Sequence, residues 1–239
     1  MSPLSGLSPA WCIVFLAMLS VFCCAGHAPR AGGMPLPYGV VATCFDGDTI
    51  KLTDRRVVRL AGIDTPELHQ GTEPPQYYAR EAMLLTQRLA RGMTVRLRAA
   101  GEAERDRYGR IVADVLLPDG RSCSEVLVRE GAALVYPHAN LDADFLARLC
   151  ALQREAIIER RGMWEHVLSL PAARTTYVGN RQSRRFFPAD NAYAQRIKPR
   201  NRVIFGTLMD AFMAGYAPAR PATFWPQALS PEAPPREEQ

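Results

Sequence analysis

Two short acidic clusters and two separate arginines carry the chemistry that this sequence can perform. Asp46-Gly47-Asp48-Thr49 sets carboxylates on either side of a glycine, and Asp64-Thr65-Pro66-Glu67 adds two more just beyond an apolar run. Carboxylate oxygens are hard donors, so such a set suits calcium, with backbone carbonyl and water completing its shell. Arg59 and Arg110 stand among alternating apolar neighbours. A planar guanidinium matches a phosphate with paired hydrogen bonds and also fixes its orientation. Each feature has a plainer reading beside it. Asp-Gly-Asp also reads as a hairpin turn, Asp-Thr-Pro as the start of a loop, and the arginines as a solvated face.

The elements that must hold these groups are short. Residues 40–45, 49–52 and 57–61 alternate with period two and are separated by the turn residues Asp46-Gly47-Asp48 and Thr53-Asp54-Arg55-Arg56, which predicts a three-stranded meander. Tyr78 to Arg91 has helical periodicity, with Ala82, Leu85 and Leu89 on one face and Gly92 as the stop. Strand character returns at 93–99 and 111–117. Ser122 with Glu125 has the form of a capping box opening a short helix to Gly131, and Asn140 to Arg161 reads as a longer helix ended by Gly162. Five strands and three helices in this order suggest an α+β chain, mainly β, built on a five-stranded Greek-key barrel of OB type. Composition alone does not separate that from other α+β folds.

Taken together and in order, Asp46 to Ile50, Arg59 to Glu67 and Asp106-Arg107-Tyr108-Gly109-Arg110 resemble the staphylococcal-type thermonuclease family. The resemblance continues through Glu125 to Gly131 and ends at Gly162-Met163-Trp164, so it covers about residues 37–165. It implies an OB-fold phosphodiesterase that depends on calcium and cleaves DNA and RNA with little sequence preference, leaving 3′-phosphates. Residue by residue, it implies that Asp48, Asp64 and the backbone carbonyl of Thr65 face the ion. It implies that Glu67 positions or deprotonates the attacking water, and that Arg59 and Arg110 grip the scissile phosphate. Tyr108 matches an aromatic beside the bound nucleotide, with Arg107 counted beside it and Tyr136 as a second aromatic. The interval from Leu52 to Arg59 is shorter than the family's, Leu116 replaces an aromatic and Ala79 a glycine. These departures touch substrate contacts and leave the reactive set complete. The reading from another class is a non-catalytic OB-type module that only binds nucleic acid.

The 239 residues, 48% hydrophobic and 22% charged, exclude disorder over the whole chain, and the net charge of +5 is mild. Charge placement matters more than its sum. No charged side chain precedes Arg30, and the apolar stretch from Trp11 to Ala25 ends at small residues. Residues 1–26 are therefore expected to be an export signal, followed by a linker at 27–36, with a periplasmic or secreted product; an uncleaved membrane anchor is the alternative. Cys44, Cys123 and Cys150 then remain, an odd set that suggests neither a disulfide scaffold nor a cysteine-zinc site. The expected state is a monomer.

Tyr177-Val178-Gly179-Asn180, Arg184-Arg185-Phe186-Phe187, Arg196 to Val203 and Ala214-Gly215-Tyr216 resemble a small zinc-binding module, and residues 167–217 are expected to form a small basic unit; Phe187, Asn191, Ala219 and Ala222 stand where the resemblance places the ligands, so no zinc is expected. Such a unit must instead rely on its aromatic residues or dock against the preceding domain. Basic residues are dense from Arg174 to Arg202, with Asp190 as the only acid. They read either as a surface for a phosphate backbone or as a solvated basic stretch. Residues 218–239 read as a disordered tail.

Overall fold

The computed structural model describes residues 37–68, 74–102, 105–219 and 225–226. The expected export signal and linker, Ala222, and most of the expected tail lie outside the described residues. The first strands form as their alternation requires: β1 (Tyr38–Cys44), β2 (Thr49–Leu52) and β3 (Val57–Leu60), followed by the two-residue β4 (Ile63–Asp64). Helix α1 (Ala79–Ala90) precedes β5 (Thr94–Arg98) and β6 (Ile111–Leu116), and then come α2 (Cys123–Arg129), β7 (Leu134–Val135), α3 (Ala143–Ile158) and α4 (Trp164–Val167).

Strands β1-β2-β3-β6-β5 close into a barrel in that order. Strand β1 pairs antiparallel with both β2 and β5, and an irregularity between Val41 and Thr43 helps it serve both edges. The parallel β3–β6 pair provides the crossover of a Greek-key barrel. Val41, Ile50, Leu52, Val58, Leu60, Val95 and Val115 fill the interior. This is the expected OB-type fold.

Local chemistry shifts three helices from their expected form. The buried face of α1 is Ala79, Ala82, Thr86 and Ala90, while Leu85 and Leu89 are only partly buried. Small side chains let the helix approach the barrel closely, and the Thr86 hydroxyl uses that closeness to donate to Gly47 O at 2.6 Å. Helix α3 starts later than Asn140, because Asp142 accepts from Phe145 N at 2.7 Å and is the true N-cap. At α2 only half of the capping box forms. Ser122 accepts from Glu125 N at 3.2 Å, but the Glu125 carboxylate pairs with Arg148 at 2.9 Å.

The C-terminal residues form a four-stranded sheet in the order β10-β8-β9-β11, from β8 (Tyr177–Asn180), β9 (Arg185–Pro188), β10 (Arg202–Phe205) and β11 (Ala217–Pro218). Helices α5 (Ala192–Gln195) and α6 (Leu208–Met213) complete it. Phe187 and Asn191, at positions that the zinc-module resemblance assigns to ligands, do other work: Phe187 stacks on Tyr193 and Asn191 caps α5.

A second core joins residues before 167, where the C-terminal module is expected to begin, to residues after it. Leu134, Ile157, Trp164 and Val167 pack with Tyr177, Phe186, Phe205 and Phe212. The Trp164 and Phe212 rings meet edge-on at 4.8 Å, and Phe186 meets Phe212 at 5.3 Å. Buried Gln153 ties the two sides, accepting from Val135 N at 2.7 Å and donating to Phe212 O at 2.8 Å. The C-terminal sheet is therefore docked, and cutting after Val167 would expose this core.

The expectation of a disordered tail from Pro218 also changes where residues are described. Pro218 pairs with Phe186 in the sheet, Ala219 is buried, and Pro226 O accepts from Tyr77 N at 2.8 Å. Cys44, Cys123 and Cys150 are buried free thiols. Burial, aided by nearby Asp46, pushes Cys44 up to about 11, and burial pushes Cys123 up to about 12, which leaves both protonated and unreactive at neutral pH.

Candidate active site

The β1–β2 turn brings Asp46 and Asp48 to one end of the barrel. Asp46 Oδ1 accepts from Asp48 N at 3.0 Å, the usual way an Asp closes a turn. Gly47 is required by closeness, since a Cβ there would lie 2.7 Å from Thr65 Cγ2 and 2.9 Å from Ala82 Cβ. Behind it, the Asp48 carboxylate is buried and well satisfied: Oδ2 accepts from Thr65 N at 2.8 Å and from Thr65 Oγ1 at 3.1 Å, and Oδ1 from Thr49 Oγ1 at 3.1 Å. Burial pushes the Asp46 carboxyl above the usual carboxylate range, against the opposing pull of Arg59 and of hydrogen bonds from Thr49.

Arg59 lies opposite Thr49 across the β2–β3 pair and is clamped by acids from two elements. Its Nη1 pairs with Asp48 Oδ1, and its Nη2 reaches Asp64 Oδ1 at 2.5 Å and Ile63 O at 3.1 Å. Only 14% of the Arg59 side chain is exposed, against 25% for Asp64. Asp64 is held in place because β4 pairs with β7, with Asp64 opposite Leu134. One guanidinium is thus bracketed by two carboxylates that the sequence separates widely.

Arg110 is set by a tight turn just before β6. Asp106 Oδ1 accepts from the backbone N of Tyr108 at 2.9 Å and of Arg110 at 3.0 Å, and Asp106 Oδ2 accepts from Arg110 Nε at 2.7 Å. Burial acts to raise the Asp106 carboxyl, but these hydrogen bonds from Arg110 and Tyr108 outweigh it and hold the group below its usual range. Arg110 Nη1 lies 3.4 Å from Thr49 Oγ1, so Thr49 links the two arginine sites. Exposed Tyr108 has the guanidinium carbons of Arg107 and Arg110 at 4.9 and 5.4 Å from its ring centre.

Arg59, Arg107, Tyr108, Arg110 and Tyr136 line one cavity of about 510 Å³. Asp48 and Asp64 adjoin Arg59, and Thr65 adjoins Asp48, without lining that cavity. Glu67 does not line it either; its backbone is fixed by a reciprocal pair with Gln76, at 2.8 Å through Gln76 Oε1 and 2.9 Å through Gln76 N. The sequence motifs carry these residues but do not show their supports: the linking role of Thr49, Thr86, the anchoring role of Asp106, and Arg185, whose guanidinium carbon sits 3.5 Å from the Tyr136 ring centre. Thr86 had a signal, a lone hydroxyl on an otherwise alanine-lined helix face. Arg185 had none, because its contact joins segments far apart in the chain.

The profile of the staphylococcal nuclease homologues matches residues 57–166. An uncharacterized endonuclease of Escherichia coli is 37% identical over 137 residues, which is 56% of this chain and 81% of that protein. The chain belongs to the staphylococcal nuclease family. Endonuclease YncB of Bacillus subtilis is 29% identical over 140 residues, covering 57% of this chain and 62% of its own, and the prophage-derived endonuclease YokF of the same species is 32% identical over 122 residues, covering 50% and 41%. In this nuclease the β2–β3 pair, with Thr49 opposite Arg59, sets Asp48 beside Arg59.

Proposed function

We propose that this nuclease hydrolyses phosphodiester bonds of DNA and RNA with low sequence specificity, depends on calcium, and leaves 3′-phosphorylated products. The observation that carries this reading is the pair of guanidiniums, Arg59 and Arg110, each held by carboxylates and joined through Thr49. A phosphodiester is anionic and gains charge on its equatorial oxygens during in-line attack. Cations fixed beforehand around those oxygens lower the barrier without reorganising. Arg59 and Arg110 also orient the phosphate through their paired donors. Glu67 serves the other reactant, holding a water in line or taking its proton.

The donor chemistry fits calcium. Asp48 and Asp64 carry hard oxygens and both reach Arg59, so an ion there would have to share them with Arg59 and, at Asp48, with Thr49 and Thr65. Among the described residues no group of three or more acidic, histidine or cysteine side chains is gathered to hold a metal, so the Thr65 carbonyl and water would complete the set. A bound calcium ion supplies positive charge to a phosphoryl oxygen and to the attacking water. Exposed Tyr108 can meet a base, a contact that every base satisfies, which supports low specificity, while Tyr136, one side of which Arg185 covers, lines the same cavity. Export is part of the same proposal, since residues 1–26 have the make-up of a signal and a non-specific nuclease endangers the chromosome beside it.

The test is cleavage of single-stranded DNA and of RNA by purified full-length protein in calcium and then in chelator. Cleavage to 3′-phosphate ends that stops in chelator is expected. Binding without cleavage in calcium would instead mark a nucleic-acid-binding module, and undiminished cleavage in chelator would remove calcium from the mechanism. A mature N-terminus near Gly26 or His27 is expected, and intact Met1 in a membrane fraction would mark an anchor.

A further inference from the structure

Tyr136 faces two grooves. One is the cavity of Arg59 and Arg110; the other, about 610 Å³, is walled by the C-terminal sheet and its connections. Arg185 is the joint between them. Its guanidinium lies on the Tyr136 ring, and its Nη2 donates to Pro137 O at 2.8 Å, which locks the stack in place. Farther along, Phe187 and Tyr193 stack with centres 5.9 Å apart and planes 20° from parallel, and Tyr193 is 51% exposed. The Arg196 guanidinium carbon lies 5.5 Å from the centre of the Tyr193 ring. Lys198 and Arg200 flank Pro199 at an exposed turn.

The charge balance of this second groove is one-sided. Among the described residues that line it there is no Asp or Glu, whereas Asp106 lines the first. Unopposed cations beside an exposed aromatic platform match single-stranded nucleic acid: the backbone follows the cations and unstacked bases lie on the rings. A duplex buries its base faces and has no use for such a platform.

We propose that the C-terminal sheet extends the substrate groove and binds the nucleotides of a single strand that lie beyond Tyr136. The proposal rests on the nucleic-acid substrate of the preceding section, but needs no cleavage. Arg185 on Tyr136 makes the track continuous, Tyr193 with Phe187 is its stacking platform, and Arg196, Lys198 and Arg200 meet its phosphates. This gives the basic stretch a role in a module whose expected metal-ligand positions are taken by other side chains.

The experiment is equilibrium binding of a labelled single-stranded DNA of about twenty nucleotides to the full-length protein in chelator, across a series of salt concentrations. Binding is read there without catalysis. The combined Arg196→Ala, Lys198→Ala and Arg200→Ala variant should lower the slope of log affinity against log salt by about 2, from about 0.7 per lost phosphate contact on a single strand. Tyr193→Ala should weaken binding about tenfold or more, with Tyr193→Phe restoring it and a duplex of equal length losing far less. Wild-type affinity and slope in the triple variant would overturn the proposal alone. Absence of binding by the wild type would overturn the nucleic-acid reading beneath it as well.

Discussion

The two basic clusters that meet at Tyr136 differ in what faces them. In the barrel, Arg59 is bracketed by Asp48 and Asp64, and Arg110 by Asp106. In the C-terminal groove, Arg196, Lys198 and Arg200 look onto no acid among the described residues lining it. A guanidinium held by fixed carboxylates keeps its position before substrate arrives, so it can act at the moment charge develops. The same carboxylates neutralise much of its long-range field. Cations without such partners attract a polyanion in any register, and salt screens them readily. Pairing thus separates groups suited to chemistry from groups suited to affinity.

The strongest challenge to this contrast is to remove the paired arginine. Arg59→Ala should lower turnover by about 10²- to 10³-fold, as loss of a preorganised charge does, and should destabilise the fold by about 3 kcal/mol because two acids lose their shared counter-charge. Steady-state kinetics and denaturant unfolding check the two effects separately. A comparable loss of stability, about 3–5 kcal/mol, is expected for Phe212→Ala in the second core. Unfolding should remain one cooperative transition, because Trp164 and Phe212 belong to the same packed cluster. Two resolved transitions would show that the C-terminal sheet unfolds independently.

Glu67→Gln keeps the side chain's shape and loses its proton affinity, so turnover should fall about 10²-fold with binding in chelator little changed. Asp106→Asn tests whether pairing itself matters. It leaves Arg110 in place but loosens its hold, and a fall in turnover on the order of tenfold is expected. The pH dependence follows from Asp106, whose folded carboxyl titrates below its usual range. Its stabilising contribution is complete above the ordinary carboxylate range near pH 4 and is lost as pH falls through the lower folded value. The acid limb of the wild-type unfolding profile should therefore be steeper than that of Asp106→Asn.

The barrel was legible because its information is local. Residues 40–45, 49–52 and 57–61 are short runs of strand character, and the turns between them carry Asp, Gly and Thr where the chain must reverse. The charged motifs named Asp48, Arg59, Asp64 and Arg110, and the structure gathers those four. What escaped reading depends on contacts distant in sequence. The β4–β7 pair that fixes Asp64 has two residues on each side, too few to show periodicity. Gln153 reads as an ordinary helix-surface residue until Phe212 O and Val135 N are seen to meet it. Trp164 looked like the end of a domain, whereas it lies at the centre of a core that the next segment completes. Pro218 and Trp225 read as tail for the same reason. Their partners, Phe186 and Tyr77, are far away along the chain.

The most direct measurement compares the two clusters in one assay, cleavage of a single strand of about twenty nucleotides in calcium by full-length variants. Arg110→Ala should lower kcat by about 10²-fold while moving KM little, because its contact strengthens as charge develops. The combined Arg196, Lys198 and Arg200 to alanine variant should act mainly on KM, raising it about tenfold or more and more steeply as salt increases. If both variants lower kcat alike, or both act only through KM, then pairing with carboxylates does not divide catalysis from binding in this nuclease.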